Sequence, residues 1–582
     1  MNTNPMEEGD AECSRAAWRG RLEFWIGLGV ALLVHLALLP NRGFTADLHA
    51  FDSWMRAALD YGVAHISEHV WCDYLPGYLY LLKAVGLLWK GATGQPPPPF
   101  GSATQQMLLK AIPALADLGG AWVLYRIAGT RLRPAAAAAI GISYALNPAI
   151  LFNSAVWGQA DSVIALLMLL AVWSIGCGRV AAGFAVAAAA LMVKPQAVVI
   201  VPALALGALY VRGWRALIAA PLAVVLASVV LLLPFFTAGR IGWVLQMVDL
   251  AVGHFPVVSM NAHNVWWLVW GKESPHTSDM MRFGNALFSY RALGTIMLGV
   301  MTLLVLWRMW VGLRTRPGEP LPVLCEAGAL QVLAFYLFPT EMHERYIVPA
   351  LIFLAATAIW KPRVAWVYAL TSATTLLSLA CVFPEYTPVL RDSHAVPYAA
   401  STVFIALFLV LLMWTPDRRF RDLAPILVLL CASATLGAAS ISLTAPQRLC
   451  DWSPIGWEQG WGRLQIDRSV GGRPLSVGGR TYEHGFGTHA ASRISYHLNG
   501  AFRIFDTGLG IDDEANHGQK VRFRIIVDRN VLYDSGDLSG PDTLRRATVP
   551  VGGAEFLSLQ VLDGGDGINS DHADWLDPVL QR

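Results

Sequence analysis

The sequence predicts a polytopic α-helical membrane domain followed by an all-β sandwich at the C-terminus. Only 14% of the 582 residues are charged and 55% are hydrophobic, whereas soluble globular proteins carry about 25% charged residues. Apolar runs recur from residue 22 to residue 443, and the chain then becomes rich in Gly, Asp and Arg. The net charge of +2, without a run of Lys or Arg, argues against nucleic-acid binding.

The membrane domain is expected to contain about 13 spanning helices, since a helix needs about 20 apolar residues to cross the hydrocarbon layer. The expected spans are 22–39, 107–128, 134–151, 161–177, 180–193, 197–211, 216–235, 290–313, 320–338, 345–360, 364–382, 398–415 and 423–443. We therefore predict a tail at 1–21, a membrane domain at 22–443, a linker at 444–449 and a C-terminal domain at 450–582.

Basic residues set the expected orientation of the spans. Cytoplasmic loops carry an excess of Lys and Arg, and the N-terminal tail contains Arg15, Arg19 and Arg21. With this tail in the cytoplasm, every alternate loop is basic, as in a multi-pass protein of a bacterial plasma membrane. An odd number of spans then places residues 450–582 on the periplasmic side.

The segment 78–89 decides between two topologies. It is apolar but short and contains Lys83. Counting it as a span would place nearly every basic cluster outside, against the positive-inside rule. We therefore interpret it as a juxtamembrane or re-entrant helix within a long periplasmic loop over residues 40–106.

Alternation with a period of two residues marks the C-terminal domain as β-structure. Val521, Phe523, Ile525 and Val527 fall on one face of a strand. Residues 502–505 and 556–563 alternate in the same way, and Gly- and Asp-rich turns separate these stretches. The pattern predicts an antiparallel β-sandwich.

Candidate catalytic carboxylates lie in the first outer loop. Asp47, Asp52 and Asp73 stand close to a membrane surface, where an ionised group is costly and is usually retained for function. Asp47 and Asp52 are five residues apart and would not share a helix face, so they are not expected to act as a pair. Interfacial or helix-capping roles are the structural alternatives.

Further polar residues follow in the later outer loops. Asp161 forms a polar cluster with Asn153, Trp157 and Gln159, although it could simply cap the helix that begins there. Lys194 either snorkels to the interface or holds a phosphate. Arg345, within the sequence MHERY, suits a lipid-linked phosphate that it would hold with two hydrogen bonds, and an interfacial ionic network is the alternative.

These motifs together resemble those of the GT-C superfamily of polytopic glycosyltransferases, nearest to bacterial relatives of the GPI-anchor mannosyltransferases. The resemblance covers residues 22–415. Its motifs are the Asp47 loop, DYLPGYLYLL at 73–82, WGQADS at 157–162, VKPQ at 193–196, NAHN at 261–264 and MHERY at 342–346. Leu75 replaces the first proline of the family's DYPPGYLY and leaves Asp73 in place.

The resemblance implies transfer of a hexose, with mannose as the family's suggestion, from a polyprenyl-phosphate donor to an extracytoplasmic glycan, glycolipid or protein, with inversion. It implies Asp47 as the catalytic base, with Asp73 and Asp161 in the catalytic group. The implied substrate-binding residues are Trp157, Gln159, Lys194, Gln196, Asn261, Asn264, His343, Glu344 and Arg345. No cofactor or catalytic metal is expected. The alternative is a non-catalytic membrane transporter or glycan receptor that displays the C-terminal domain.

Residues 450–582 resemble the NPCBM family of carbohydrate-binding modules, through the stretches 457–498, 508–518 and 563–578. The resemblance implies a jelly-roll-like sandwich that binds sugars by aromatic stacking and hydrogen bonds. The candidate residues are Trp457, Trp461, His489, Asp512, Asp513, His572 and Trp575, with a position in the core as the alternative for each Trp. A structural Ca²⁺ held by Asp512, Asp513 and Glu514 is a second interpretation of those acids.

The seven cysteines show no CxxC and no Cys/His spacing typical of a zinc site, so no metal site is predicted from them. Most lie in or beside apolar segments and are expected to behave as small hydrophobic residues. Cys72 and Cys450 would share the outer compartment, and a disulfide between them is an alternative.

Overall fold

A computed structural model of the chain describes residues 5–250, 256–281, 289–383, 395–414, 446–452, 454–498, 502–515, 520–540 and 543–581, with isolated positions at 390, 421, 425 and 500. Its helices are α1 Pro5–Leu38, α2 Thr45–Asp60, α3 Pro76–Thr93, α4 Ala103–Ala128, α5 Pro134–Ala145, α6 Pro148–Leu151, α7 Asp161–Gly176, α8 Val180–Val193, α9 Val201–Arg212, α10 Ala216–Thr237, α11 Ile241–Leu250, α12 Val265–Trp270, α13 Tyr290–Thr315, α14 Pro320–Leu337, α15 Val348–Ala358, α16 Val364–Ala380 and α17 Ala395–Met413.

The described helices confirm the predicted polytopic helical class. Within the described residues, seven helical segments are long and apolar enough to cross a membrane: Trp18–Leu38, Ala103–Ala128, Pro134–Trp157, Pro195–Thr237, Tyr290–Thr315, Pro320–Leu337 and Ala395–Met413. Shorter apolar helices are Asp161–Gly176, Val180–Val193, Val348–Ala358 and Val364–Ala380. Each expected span from 22–39 to 398–415 coincides with one helix or with consecutive helices. The expected span at 423–443 lies outside the described residues.

The long loop over residues 40–106 is largely helical. It contains α2, a short 3₁₀ helix at Val63–Glu68, and α3, within which the segment 78–89 falls. Helix α3 begins at Pro76, because proline fits the first turn of a helix, where its missing N–H costs nothing. It ends at Gly94, whose φ of +68° is a left-handed conformation that glycine adopts without strain.

The C-terminal domain contains two antiparallel sheets, which confirms the predicted all-β class. One sheet has the strand order β11-β8-β13-β6-β3, with β1 also paired to β13, and the other has the order β10-β9-β12-β7-β2. A separate hairpin joins β4 to β5. The strands are β1 Gln447–Arg448, β2 Gly456–Gln459, β3 Gln465–Ile466, β4 Leu475–Val477, β5 Arg480–Tyr482, β6 Gly485–His489, β7 Ser492–His497, β8 Ile504–Ile511, β9 Lys520–Val527, β10 Asn530–Ser539, β11 Arg545–Pro550, β12 Phe556–Asp563 and β13 His572–Gln581.

The predicted alternation agrees with the observed strands. Along β9, Val521, Phe523, Ile525 and Val527 are all buried, and the residues between them are partly exposed. Strand β12 coincides with the predicted stretch 556–563. The stretch at 502–505 overlaps β8 only at its end, because the strand begins two residues later, at Ile504.

The chain divides into two compact units. The first comprises residues 1–255, 260–268 and 297–427, and the second comprises 256–259, 269–296 and 428–582. The second unit therefore includes the β domain and stretches that lie between α11 and the first turns of α13. Cys72 and Cys450, one in each unit, are both free thiols.

Candidate functional site

The predicted base, Asp47, lies in the first turn of α2 and is held by the WGQADS motif. Its Oδ2 accepts hydrogen bonds from Trp157 Nε1 at 2.8 Å and from Gln159 Nε2 at 2.5 Å. Gly158, between these donors, has a φ of +98°, which glycine adopts far more readily than other residues. This turn directs the side-chain donors on either side of Gly158 at a single carboxylate oxygen.

A buried ion pair lies beside this carboxylate. Lys194 Nζ donates to Asp161 Oδ1 at 2.9 Å and to Gln159 Oε1 at 3.3 Å. Asp161 begins α7, where the positive end of the helix dipole also favours a carboxylate. Lys194 follows the end of α8 and is buried rather than snorkelling to a surface. Gln159 therefore connects Asp47 to the ion pair.

The second predicted cation, Arg345, lies over the same indole that binds Asp47. Its guanidinium carbon is 5.6 Å from the centroid of the Trp157 ring, within the range of a cation–π interaction. Arg345 Nη1 donates to Glu344 Oε1 at 2.9 Å, and electrostatic interactions also link Arg345 to Asp47 and Asp161. The Nε of Arg345 is buried and has no hydrogen-bond partner among the described residues.

Two tyrosines that were not predicted as site residues complete this group. The ring of Tyr74 lies 5.8 Å from Lys194 Nζ. Asp73, the predicted catalytic residue beside Tyr74, is half-buried in the loop before α3. Tyr346 is hydrogen-bonded to the predicted ligand Gln196, and both line a small cavity with Asp161. The DYLPGYLY and MHERY motifs each carry the missed tyrosine, so the signal was present in the sequence.

Asn261 and Asn264, two predicted substrate-binding residues, lie in the segment that leads into α12. Asn264 Oδ1 accepts from the backbone N–H groups of Trp266 and Trp267, and its side-chain amide donates to the Tyr336 carbonyl, so this buried residue caps α12. Asn261 adopts a φ of +62°, a conformation that Asn tolerates, and its backbone pairs with His343. The side-chain hydrogen bonds of Asn264 are those of a helix cap, and a substrate contact of Asn261 or Asn264 stays a prediction.

His343 lies at the edge of the charged group. Its Nδ1 is 3.5 Å from Arg345 Nη1 and 3.9 Å from Glu344 Oε2. The group therefore contains the carboxylates of Asp47, Asp161 and Glu344 against the cations of Lys194 and Arg345. With neutral His343 these charges sum to −1.

In the β domain, three predicted residues converge. Trp461 is exposed, and its ring lies nearly parallel to that of His572, with the centroids 5.8 Å apart. The ring of His489 is 5.5 Å from both. Glu514 Oε1 accepts from His572 Nδ1 at 3.0 Å and from the Gly471 N–H. These four side chains, which we call the aromatic–histidine site, place an exposed indole beside polar groups.

The protonation of this site follows from its contacts. Burial, with the nearby His572, lowers the pKa of His489. Nδ1 of the neutral imidazole must donate to the Ala490 carbonyl, because a carbonyl only accepts, and this leaves Nε2 as an acceptor. Burial alone would raise the pKa of Glu514, but hydrogen bonds from Ser469, Gly471 and His572 outweigh it and lower that pKa. The site thus offers an ionised carboxylate and an imidazole acceptor.

The remaining predicted module residues do not join this site in the described part of the chain. Trp575 is fully buried and packs edge-on against Phe523 at 5.1 Å, so its predicted role in stacking on a sugar is wrong. Trp457 is exposed on the edge strand β2. Asp512 accepts from the backbone of Ser476, and Asp513 from the hairpin glycines. Both acids therefore hold the β4–β5 hairpin.

The Ca²⁺ interpretation gains no support from the geometry. Within the described ranges, the acids Asp512, Asp513 and Glu514 do not form a group whose ligand atoms meet closely enough to share an ion. Glu514 is instead directed at His572 and Gly471, as described above.

Comparison with known families bears on the C-terminal segment. Residues 447–581 match the model of the NPCBM/NEW2 domain. The β domain is an NPCBM domain. A putative endo-alpha-N-acetylgalactosaminidase of Renibacterium salmoninarum is 34% identical over 155 residues, covering 25% of this chain and 10% of the relative. Alpha-1,3-galactosidase B of Akkermansia muciniphila is 35% identical over 120 residues, covering 20% of this chain and 15% of the relative. The chain thus spans only a small part of these curated relatives.

Solved structures give two further similarities. CBM51 from Clostridium perfringens GH95, in complex with methyl-galactose, is 33% identical to the chain, with a TM-score of 0.23; the match covers 24% of this chain and all of that one. Arabinosyltransferase EmbB from Mycobacterium smegmatis is 13% identical, with a TM-score of 0.28, over 96% of this chain and 64% of that one. In this chain the NPCBM domain follows a helical region whose described part contains seven segments long and apolar enough to cross a membrane.

Proposed function

We propose that the chain is a membrane glycosyltransferase that moves a hexose from a polyprenyl-phosphate donor to an extracytoplasmic acceptor, with inversion at the anomeric carbon. One observation carries the proposal. The N–H of the Trp157 indole donates to Asp47, and the face of the same ring lies beneath the guanidinium of Arg345. A carboxylate base and a phosphate-binding cation are the two groups that an inverting transfer from a sugar phosphate needs. A single rigid side chain holds both.

Asp47 is the base in this proposal. Its Oδ2 is fixed by two donors, whereas Oδ1 accepts no hydrogen bond in the part of the chain that the structure describes. A carboxylate held by one oxygen presents the other in a defined direction. Oδ1 would accept the proton of the acceptor hydroxyl as that oxygen attacks the anomeric carbon, while the bond to the donor phosphate breaks.

Arg345 and Lys194 would stabilise the departing phosphate. Glu344 and Asp161 already balance these cations, so the phosphate must use the N–H groups that the carboxylates leave. The buried, unpartnered Nε of Arg345 is the first of these, because a buried charged donor without an acceptor is costly unless a ligand supplies one. Arginine suits this role because its donors form a planar fork that matches phosphate oxygens.

The setting we propose is a bacterial plasma membrane, with the N-terminus in the cytoplasm and the NPCBM domain outside. The basic residues of alternate loops support this orientation. Mannose is the first donor sugar to test, on the family resemblance. The NPCBM domain would bind a glycan at the aromatic–histidine site, where the exposed face of Trp461 can stack on a sugar ring and Glu514 can accept from its hydroxyls.

The proposal is tested by comparing Asp47→Asn with Asp52→Asn in the full-length protein. Both acids lie on α2, but Asp52 pairs with Arg56 and belongs to a separate network. The assay follows sugar transfer in membranes from radiolabelled polyprenyl-phosphate mannose, glucose and galactose. We expect Asp47→Asn to lower the rate about 10²- to 10⁴-fold, the range of general-base catalysis, and Asp52→Asn to stay near wild type.

Two outcomes would contradict the proposal. Equal rates in wild type and Asp47→Asn would remove the assigned base. No release from any of the three donors by wild-type protein would favour the non-catalytic alternative, a transporter or receptor that displays the NPCBM domain.

A further inference from the structure

We propose that Cys450, Asp467 and His484 form a zinc-binding site in the NPCBM domain, with water as the fourth ligand. The inference is independent of the proposed glycosyltransferase function. The three residues share no local motif in the sequence and play no part in either site described above.

The three side chains converge on one point. One ligand atom from each lies within 4.8 Å of the other two, and this is the only such group within the described ranges. Nδ1 of His484 is 3.4 Å from Oδ1 of Asp467. In a tetrahedral zinc site, bonds of 2.0–2.3 Å place neighbouring ligand atoms about 3.5 Å apart. No separation in the group therefore has to shorten by more than about 1.3 Å.

The β-sheet fixes the three residues from separate segments. Cys450 follows β1, whose Gln447 and Arg448 pair with the end of β13. Asp467 follows β3 and His484 precedes β6, and these two strands pair with each other. The Asp467 N–H donates to the Gly485 carbonyl at 2.9 Å, and the Gly485 N–H donates to Asp467 Oδ1 at 3.1 Å. The acid and the imidazole are thus brought together by backbone pairing rather than by chance side-chain positions.

Nδ1 of His484 supplies the second observation that points to a ligand. This nitrogen is buried and makes no hydrogen bond to any described residue, although buried nitrogen atoms are normally satisfied. A bound cation would use its lone pair directly. Cys450 is buried behind it, while the Asp467 and His484 side chains are 42% and 26% exposed. The open side of the group gives a metal ion a route in and leaves room for a water ligand.

The donor atoms select the kind of metal. Thiolate sulfur, imidazole nitrogen and carboxylate oxygen together are typical zinc ligands, whereas Ca²⁺ and Mg²⁺ prefer oxygen alone. Zinc binds a thiolate rather than a thiol, so Cys450 would release its proton as the Zn–S bond forms, and affinity should rise with pH.

The test uses purified full-length protein in detergent, stripped with a chelator and then given Zn²⁺ alone or Co²⁺ alone. Metal analysis after desalting should find one zinc per chain, and the Co²⁺ form should show a thiolate-to-metal charge-transfer band. His484→Gln should weaken zinc binding about 100-fold or more, since even the loss of an outer-shell partner costs 10- to 100-fold. Cys450→Ser should abolish the Co²⁺ band.

Matched controls are Cys177→Ser and His497→Gln, which alter an exposed cysteine and a partly exposed histidine outside the group. Both should bind zinc as wild type does. Because His484 is partly exposed, metal-free His484→Gln should have the same melting temperature as metal-free wild-type protein. A loss of zinc binding in this variant then results from the loss of a ligand and not from unfolding. Absence of zinc from wild-type protein, or wild-type occupancy in His484→Gln, would overturn the proposal.

Discussion

Replacing Trp157 with Phe separates the two tasks that we assign to its indole. The substitution removes the Nε1 donor to Asp47 and keeps an aromatic face beneath Arg345. Phe383 packs edge-on against Trp157 at 4.6 Å, so the smaller ring stays enclosed in an aromatic environment. The change therefore acts mainly on the orientation of the base and much less on the phosphate-binding cation.

The expected magnitude follows from the lost hydrogen bond. A hydrogen bond to a charged group contributes about 1.5–3 kcal/mol, and each 1.36 kcal/mol corresponds to a tenfold change in rate. Loss of the indole donor should therefore lower kcat about 10- to 100-fold. Gln159 still donates to the same oxygen of Asp47, which favours the lower part of this range. KM for the donor should change little, because a benzene ring retains part of the cation–π interaction.

The assay measures initial rates of sugar transfer in membranes over a range of polyprenyl-phosphate hexose concentrations. Trp366→Phe is the control, because Trp366 is an exposed tryptophan on α16. A wild-type kcat in a folded Trp157→Phe protein would show that the indole does not orient the base. A large rise in KM at unchanged kcat would show instead that Trp157 serves donor binding alone.

Two further predictions concern the NPCBM domain. Trp461→Ala should weaken glycan binding about 5- to 30-fold, equivalent to about 1–2 kcal/mol of stacking, whereas Trp457→Ala on the edge strand should leave it unchanged. Both effects are measured as binding of methyl-galactoside and N-acetylglucosamine to the full-length protein. Equal losses of affinity in the two variants would reject the aromatic–histidine site. The carboxylate of Asp571 is buried without a hydrogen-bond partner among the described residues, and burial, together with Asp566 and Asp563, raises its pKa to about 7. This folded-state pKa exceeds the ordinary value of about 3.9. The protonated Asp571 therefore makes its full contribution to the stability of the folded domain below pH 4, and this contribution is lost as the pH rises through 7. Asp571→Asn should therefore reduce the loss of hydrogen-exchange protection in β6 and β13 between pH 5 and pH 8, and an unchanged pH dependence would contradict the assignment.

The residues of the charged group around Asp47 could be predicted from the sequence, because their motifs place charged side chains beside apolar spans, where charges are costly. Asp47, Trp157, Gln159, Lys194 and Arg345 were all identified from polar clusters beside apolar spans, and the structure brings them into one group. Their pairing could not be predicted. Which cation faces which carboxylate depends on how the helix ends meet, and a hydropathy pattern carries no information about that.

The errors in the β domain have a different cause. Trp575 lies on β13, a central strand that pairs with both β6 and β8, and most of this strand is buried. Alternation then no longer identifies an exposed side, and an aromatic residue that looks available for a sugar packs between the sheets instead. The group of Cys450, Asp467 and His484 was missed because its members belong to three segments. Such a group has no local spacing to recognise.

The position of Asp47 depends on Lys110, a lysine within a largely apolar helix. Lys110 is fully buried within α4, and its ammonium donates to the Asn41 carbonyl at 2.7 Å and to the Asn41 side chain at 3.0 Å. The Asn41 side chain in turn accepts from the N–H of Gly43, whose φ is +61°. A Cβ added at position 43 would come within 2.6–2.9 Å of Leu48, Lys110 and the Trp157 carbonyl. A side chain at position 43 would push the start of α2 away from Trp157. The buried lysine and the glycine therefore act together, and through them α4 sets the distance between Asp47 and the indole that donates to it.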